Sequence, residues 1–175
     1  RKRNTVNGIL DTLLMSPYIL PGTVLGIGFI TTFNRQPFML YGTATIIVLA
    51  YFIRRLPYSV RASVSILQQL DPALEEAGIS LGAPPGRAFR KISLPLMMPG
   101  IISGAILSWI TSINELSTSI LLYVGGTITM PIRIYLSVMD GYFGPGSAMA
   151  TILLAATGLA LLVLNLLGDS RRQLV

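Results

Sequence analysis

Neither histidine nor cysteine occurs among the 175 residues. Imidazole acid–base catalysis, thiolate nucleophiles, disulfides and the commonest transition-metal ligands are therefore excluded. The groups left to do chemistry are seven carboxylates and thirteen lysine or arginine side chains. No nucleophile–base pair and no facing carboxylates within an apolar stretch can be picked out, so no catalytic residue and no metal site is assigned. Phosphate chemistry is equally unprovided for. The consensus G-x-x-x-x-G-K-[ST] is absent, and its nearest approach, Gly82 to Gly86, has the wrong spacing and places Pro84 and Pro85 where phosphate-cradling N–H groups are needed. The chain is expected to bind no ATP and no other cofactor. Two places hold acids that need explaining: Glu115, alone inside an apolar run, and Glu75-Glu76, in the one long charged segment.

Composition sets the surroundings of these acids. Hydrophobic residues make up 52% of the chain and charged residues 11%, with a mean hydropathy of +0.68. That leaves too little polar surface to cover a soluble domain of this size, and the chain is expected in a bilayer. The net charge of +6 would suit nucleic acid, yet the basic residues fall in short segments between apolar runs, as in membrane-protein loops. No nucleic-acid partner is expected. Four spans are read. The first is Ile9 to Phe33, kinked at Pro17 and Pro21; the second is Pro37 to Ile53, ended by the stop-transfer pair Arg54-Arg55. The third crosses from Pro99 to Ser112 within the run Leu94 to Val124 and then bends; the fourth is Ala148 to Leu167, closed by Gly168-Asp169. The fold class is all-α, a polytopic transmembrane helix bundle of about four spans, read as one domain over 1–175 with a charged loop at 54–93.

Charge asymmetry orients the bundle. Arg1 to Arg3, Arg171-Arg172 and the six basic residues of the loop lie on one side, against only Arg35 and Arg133 on the other. The positive-inside rule places both termini and the 54–93 loop in the cytoplasm. A start at Arg-Lys-Arg, without an initiator Met or signal peptide, reads as the C-terminal fragment of a longer chain.

The loop has its own local logic. Asp71 is a helix N-cap, and Pro72 suits the first helical position because its missing N–H needs no partner there. A helix is predicted to Leu81, with Gly82 as its stop and Pro84-Pro85 preventing continuation. Leu74, Ala77, Gly78 and Leu81 recur on one small-residue face, flanked by Glu75 and Glu76. Upstream, Val60, Val64 and Leu67 predict a separate amphipathic helix.

The run Glu76-Ala77-Gly78, three residues, Gly82, nine residues, then Ile92-x-Leu94-Pro95 resembles the cytoplasmic signature of permease subunits of binding-protein-dependent ABC importers. Gly78 departs from it, standing where that family usually has a second alanine. The resemblance implies a transport subunit rather than an enzyme, a multi-pass protein of the prokaryotic plasma (inner) membrane. It implies that the 71–83 helix is a coupling helix docking on a separate ATP-binding subunit, which holds ATP-Mg. Glu75, Glu76, Ala77, Gly78, Leu81 and Gly82 would make that contact, with Asp71, Pro72, Ile92, Leu94 and Pro95 as its structural frame. Further partners implied are a second permease subunit or half and a periplasmic or extracellular substrate-binding protein. The wording around Pro17 to Thr23 and Asn114 to Thr118 is most similar to the ferric-iron group, with phosphonate, thiamine, polyamine and sulfate or molybdate relatives close behind. A stand-alone channel or secondary transporter with a regulatory loop is the alternative.

Fourteen residues from Pro99 to Ser112 span only about 21 Å, which leaves Asn114-Glu115 near the outer end of the membrane. A carboxylate there either faces the translocation path as part of a gate or marks a hydrated helix end. Gly22-x-x-x-Gly26 and Gly100-x-x-x-Gly104 allow close helix contact, either mobile or static. The segment Thr129 to Phe143 is expected to form a short interfacial helix that ends at the breaker run Gly141 to Gly146.

Overall fold

The structure is a computed structural model that describes residues 5–169; the basic termini, Arg1 to Arg3 and Arg171-Arg172, lie outside the described residues. Among those described, every regular element is helical. In chain order they are α1 (Thr5–Ile19), α2 (Gly22–Phe33), α3 (Ala44–Gln69), α4 (Pro72–Ser80), α5 (Pro85–Ala88), a π-helical turn (Phe89–Ser93), α6 (Leu94–Ile113), α7 (Ser119–Leu122), α8 (Met130–Met139) and α9 (Phe143–Asp169).

Of the two prolines expected to kink the first span, Pro17 lies inside α1, while Pro21 stands at a break where α2 turns away by 106°. Pro21 cannot donate a helical hydrogen bond, so the ladder ends with Leu20 N–H to Ser16 O at 3.3 Å. The second span departs further from expectation. Arg54-Arg55 does not end it; α3 continues unbroken for 26 residues and absorbs the separate helix predicted around Val60 to Leu67. Arginine is a good helix former, and beyond the pair α3 meets α6 through uncharged residues, Ser59, Ala62 and Ile66.

That face packs antiparallel against α6. A Cβ on Gly104 would stand 2.8 Å from Ala62 Cβ and 3.3 Å from Ser59 Cα, and one on Gly100 would collide with Ile66. One turn beyond Gly104 the Ser59 and Ser108 hydroxyls meet at 3.2 Å. The Gly100/Gly104 pair therefore serves close packing within this chain. The third span also begins earlier than Pro99. α5, the π-turn and α6 form one helix of 29 residues, Pro85–Ile113. The wider turn runs up to Pro95, which cannot donate an N–H to the ladder.

By length and apolarity two described helices, Pro85–Ile113 and Phe143–Leu166, can cross a membrane, and three if the bent α1–α2 pair is one span. Helix α3 is long enough but carries Arg54, Arg55 and Arg61. At the fourth span the expected breaker run shrinks to a turn at Gly141, with φ of +79°, and Tyr142. Gly144, Pro145 and Gly146 belong to the first turns of α9, where Pro145 needs no donor. Leu25, Phe29, Ile46, Ile47, Ala50 and Leu122 form the buried core between α2, the first half of α3 and α7.

Candidate functional site

The loop helix α4 is built as its residues dictate. Asp71 accepts the Ala73 amide at 2.9 Å, and Pro72 opens the helix. At the other end Gly82, with φ of +89°, closes a Schellman motif: its N–H donates to Ile79 O at 2.9 Å and that of Ala83 to Gly78 O at 3.2 Å. One face braces the helix against its own chain. Ser93 of the π-turn donates its hydroxyl to Glu75 at 2.9 Å, and a Cβ on Gly78 would lie 2.6 Å from Ile92 Cδ1. Gly78 thus gives close approach to Ile92 and Ala88 rather than to an outside surface, and the small-residue face expected from the sequence divides. Glu75 and Gly78 turn inward; Leu74, Glu76, Ala77 and Leu81 are exposed. Leu81 is 90% exposed, and Leu74 and Ile79 are exposed beside it, although no residue of α4 is buried. Leu94 and Pro95 continue the π-turn into α6, which makes Ile92 to Pro95 the brace of the loop.

The second constellation was not foreseen. Glu115, only 6% exposed, is held between two arginines: Arg54 Nη1 donates to its Oε1 at 2.7 Å and Arg55 Nη2 to its Oε2 at 2.5 Å. The Thr118 amide donates to Oε1 at 3.0 Å, and the Tyr51 hydroxyl to the Glu115 carbonyl at 3.3 Å. Arg54 Nη1 also donates to Thr118 Oγ1 at 2.6 Å, and Arg55 Nη2 to Thr111 O at 2.6 Å. Among the described residues the buried Nε of Arg55 has no acceptor. Two cations thus share one carboxylate, a net charge of +1 among apolar helices. Asn114 stays outside the group: its amide donates to Ile110 O at 2.8 Å and to Thr157 Oγ1 of α9 at 3.2 Å.

Position matters here. The sequence places Glu115 near the outer end of the membrane; in the fold it follows the end of α6 and lies level with the middle of α3. Ten residues of α3, about 15 Å, rise from Arg54 to Ala44. In the other direction Arg61, about 10 Å away along the helix, meets Asp11 of α1 in an exposed ion pair at 3.1 Å. Measured along α3, the Arg54–Glu115–Arg55 cluster therefore lies well inside the ends of that helix. Two signals in the sequence pointed there. The run from Ala44 to Gln69 reads as one helix apart from Pro57, which the structure keeps inside α3, and a lone acid in an apolar run needs a counter-ion.

A bundle of apolar helices with a braced, solvent-facing loop helix and a buried ion cluster fits a membrane permease. The chain belongs to the family of binding-protein-dependent transport system inner membrane components, whose profile matches residues 1–175. It is 31% identical over 163 residues to the ferric transport system permease protein FbpB of Actinobacillus pleuropneumoniae, covering 93% of this chain and 24% of that protein. With the sulfate transport system permease protein CysT of Salmonella typhimurium it shares 30% identity over 176 residues, covering 91% of this chain and 62% of the other. The chain thus spans between about a quarter and three fifths of these relatives. Among solved structures, a bacterial ABC transporter involved in the import of the acidic polysaccharide alginate superposes with a TM-score of 0.72 at 14% identity, over 99% of this chain and 68% of that one. That likeness shows a shared ABC importer permease fold.

Proposed function

We propose that the chain forms part of the membrane path of an ATP-driven importer and that α4 is its coupling helix, docking on a separate ATPase subunit that holds ATP-Mg. One observation carries the reading: a helix capped at both ends and braced from behind leaves Leu81 almost wholly exposed, with Leu74 and Ile79 partly exposed beside it. Apolar side chains held rigidly outward mark a protein contact. Glu76 stands beside them, exposed and without a hydrogen bond or ion pair among the described residues. Its carboxylate is available to a basic group on the ATPase. A second permease subunit or half completes the path, a substrate-binding protein delivers cargo from the far side, and Glu115, with Asn114 at its flank, belongs to the gate. Ferric iron is the proposed cargo, on the likeness to FbpB over 93% of this chain.

Glu76→Lys tests the docking. Because Glu76 supports nothing within the chain, the variant is expected to insert and fold normally, with a stability change within about 0.5 kcal/mol. It should lose transport and release the ATPase subunit on purification. Normal uptake at normal expression would overturn the assignment.

A further inference from the structure

We propose that Arg54 is a positioning residue that latches the α1–α2 break to the α6–α7 break through Glu115, and that this latch opens during transport. The inference rests on the transport reading and deepens it.

Two interruptions of the helices meet at the cluster. α1 gives way to α2 at Leu20–Pro21, and α6 ends at Ile113 just before Glu115. Helix α3 runs past both without a break and carries the arginines. The Nη1 of Arg54 reaches Glu115 at 2.7 Å and Thr118 at 2.6 Å on one side. On the other it occupies the space a side chain at position 22 would need; a Cβ there would also come within 2.8 Å of Ser117 Cβ and Thr118 Oγ1. The first turn of α2 therefore rests on the guanidinium, and only glycine permits it. One turn on, the Cβ position of Gly26 lies 3.3 Å from both Leu121 Cβ and the Thr118 carbonyl, so α2 and α7 close over the cluster together.

The cluster is also incompletely satisfied. Buried polar networks in a static core find partners for every donor, because an orphan in low dielectric is costly. Here, among the described residues, one arginine N–H has no acceptor and the two arginines share a single carboxylate. Both lower the cost of leaving this arrangement, as an element with two discrete states requires. Arg54 acts by holding Glu115 and the α2 turn in register.

The chain has no cysteine, so one introduced pair can report on the latch. Gly26→Cys with Leu121→Cys places two thiols near disulfide range, outside the charge cluster. In proteoliposomes holding the assembled importer with its ATPase subunits and binding protein, oxidation should lower uptake of radiolabelled ferric iron roughly tenfold or more, since gating sets turnover. Reductant should restore it. Arg54→Gln should raise ATP hydrolysis per ion imported, and Arg54→Lys should partly rescue that ratio, which a merely structural role would leave unmoved. Uptake by the cross-linked protein at the reduced rate would overturn the proposal. So would an unchanged ratio in Arg54→Gln, which decides the matter if the cysteine pair is inactive in both redox states. Failure of the unmodified chain to bind any ATPase subunit would instead refute the transport reading on which the latch rests.

Discussion

Replacing Glu115 with alanine strands two guanidinium groups whose side chains are only 18% and 12% exposed. Each charge pair, about 4 Å between centres, is attracted by about 4 kcal/mol at an effective dielectric constant near 20, while the two arginines continue to repel one another. Removing one partner of such a buried group is expected to cost about 3–5 kcal/mol. Glu115→Gln should cost less, because an amide oxygen can still accept from Arg54 and the Thr118 amide. The informative comparison is a cycle of Glu115→Gln, Arg55→Gln and the double variant, which removes one charge of each sign and leaves the net charge at +1. The double variant should lose at least about 1.5 kcal/mol less than the sum of the singles. Unfolding free energies in detergent micelles, from titration with a denaturing detergent, measure all three. A coupling below about 0.5 kcal/mol would show that the pair behaves as an exposed one and would refute the burial argument.

Two further outcomes follow from the geometry. Gly104→Leu should weaken the α3–α6 contact by about 1–3 kcal/mol, because Ala62 and the backbone of Ser59 leave no room; an unchanged unfolding transition would show that the helices separate there. Single cysteines at Ser80 and Gly126, both exposed, should be labelled by an impermeant thiol reagent from opposite sides of the membrane, and same-side labelling would show that Pro85–Ile113 does not cross.

The parts of this fold legible in the sequence are those governed by local chemistry. Asp71-Pro72 and Gly82 bound α4 because caps and left-handed turns depend on a few neighbouring atoms. The readings that failed depended on distant partners. Arg54-Arg55 reads as the end of a span when charge alone is considered, since desolvating two cations is costly. Glu115, sixty-one residues from Arg54, removes much of that cost and lets the helix continue. Gly78 likewise reads as an outward contact until Ile92 is known to stand against it. Gly144 to Gly146 reads as a stop, yet the first turn of a helix tolerates glycine and proline, and the apolar run behind them sustains α9.

The brace between α4 and the π-turn has a mechanical consequence. Because Glu75 holds Ser93 and Gly78 abuts Ile92, the loop helix is pinned to the root of α6 and cannot swivel independently of it. From Ser93 to Ile113 that helix forms a lever arm of about 30 Å. A tilt of about 6° at its root sweeps the far tip through about 3 Å, the full length of the contacts that grip the carboxylate there. Any partner that rocks α4 by a few degrees therefore has the leverage to unseat an ion pair it never touches.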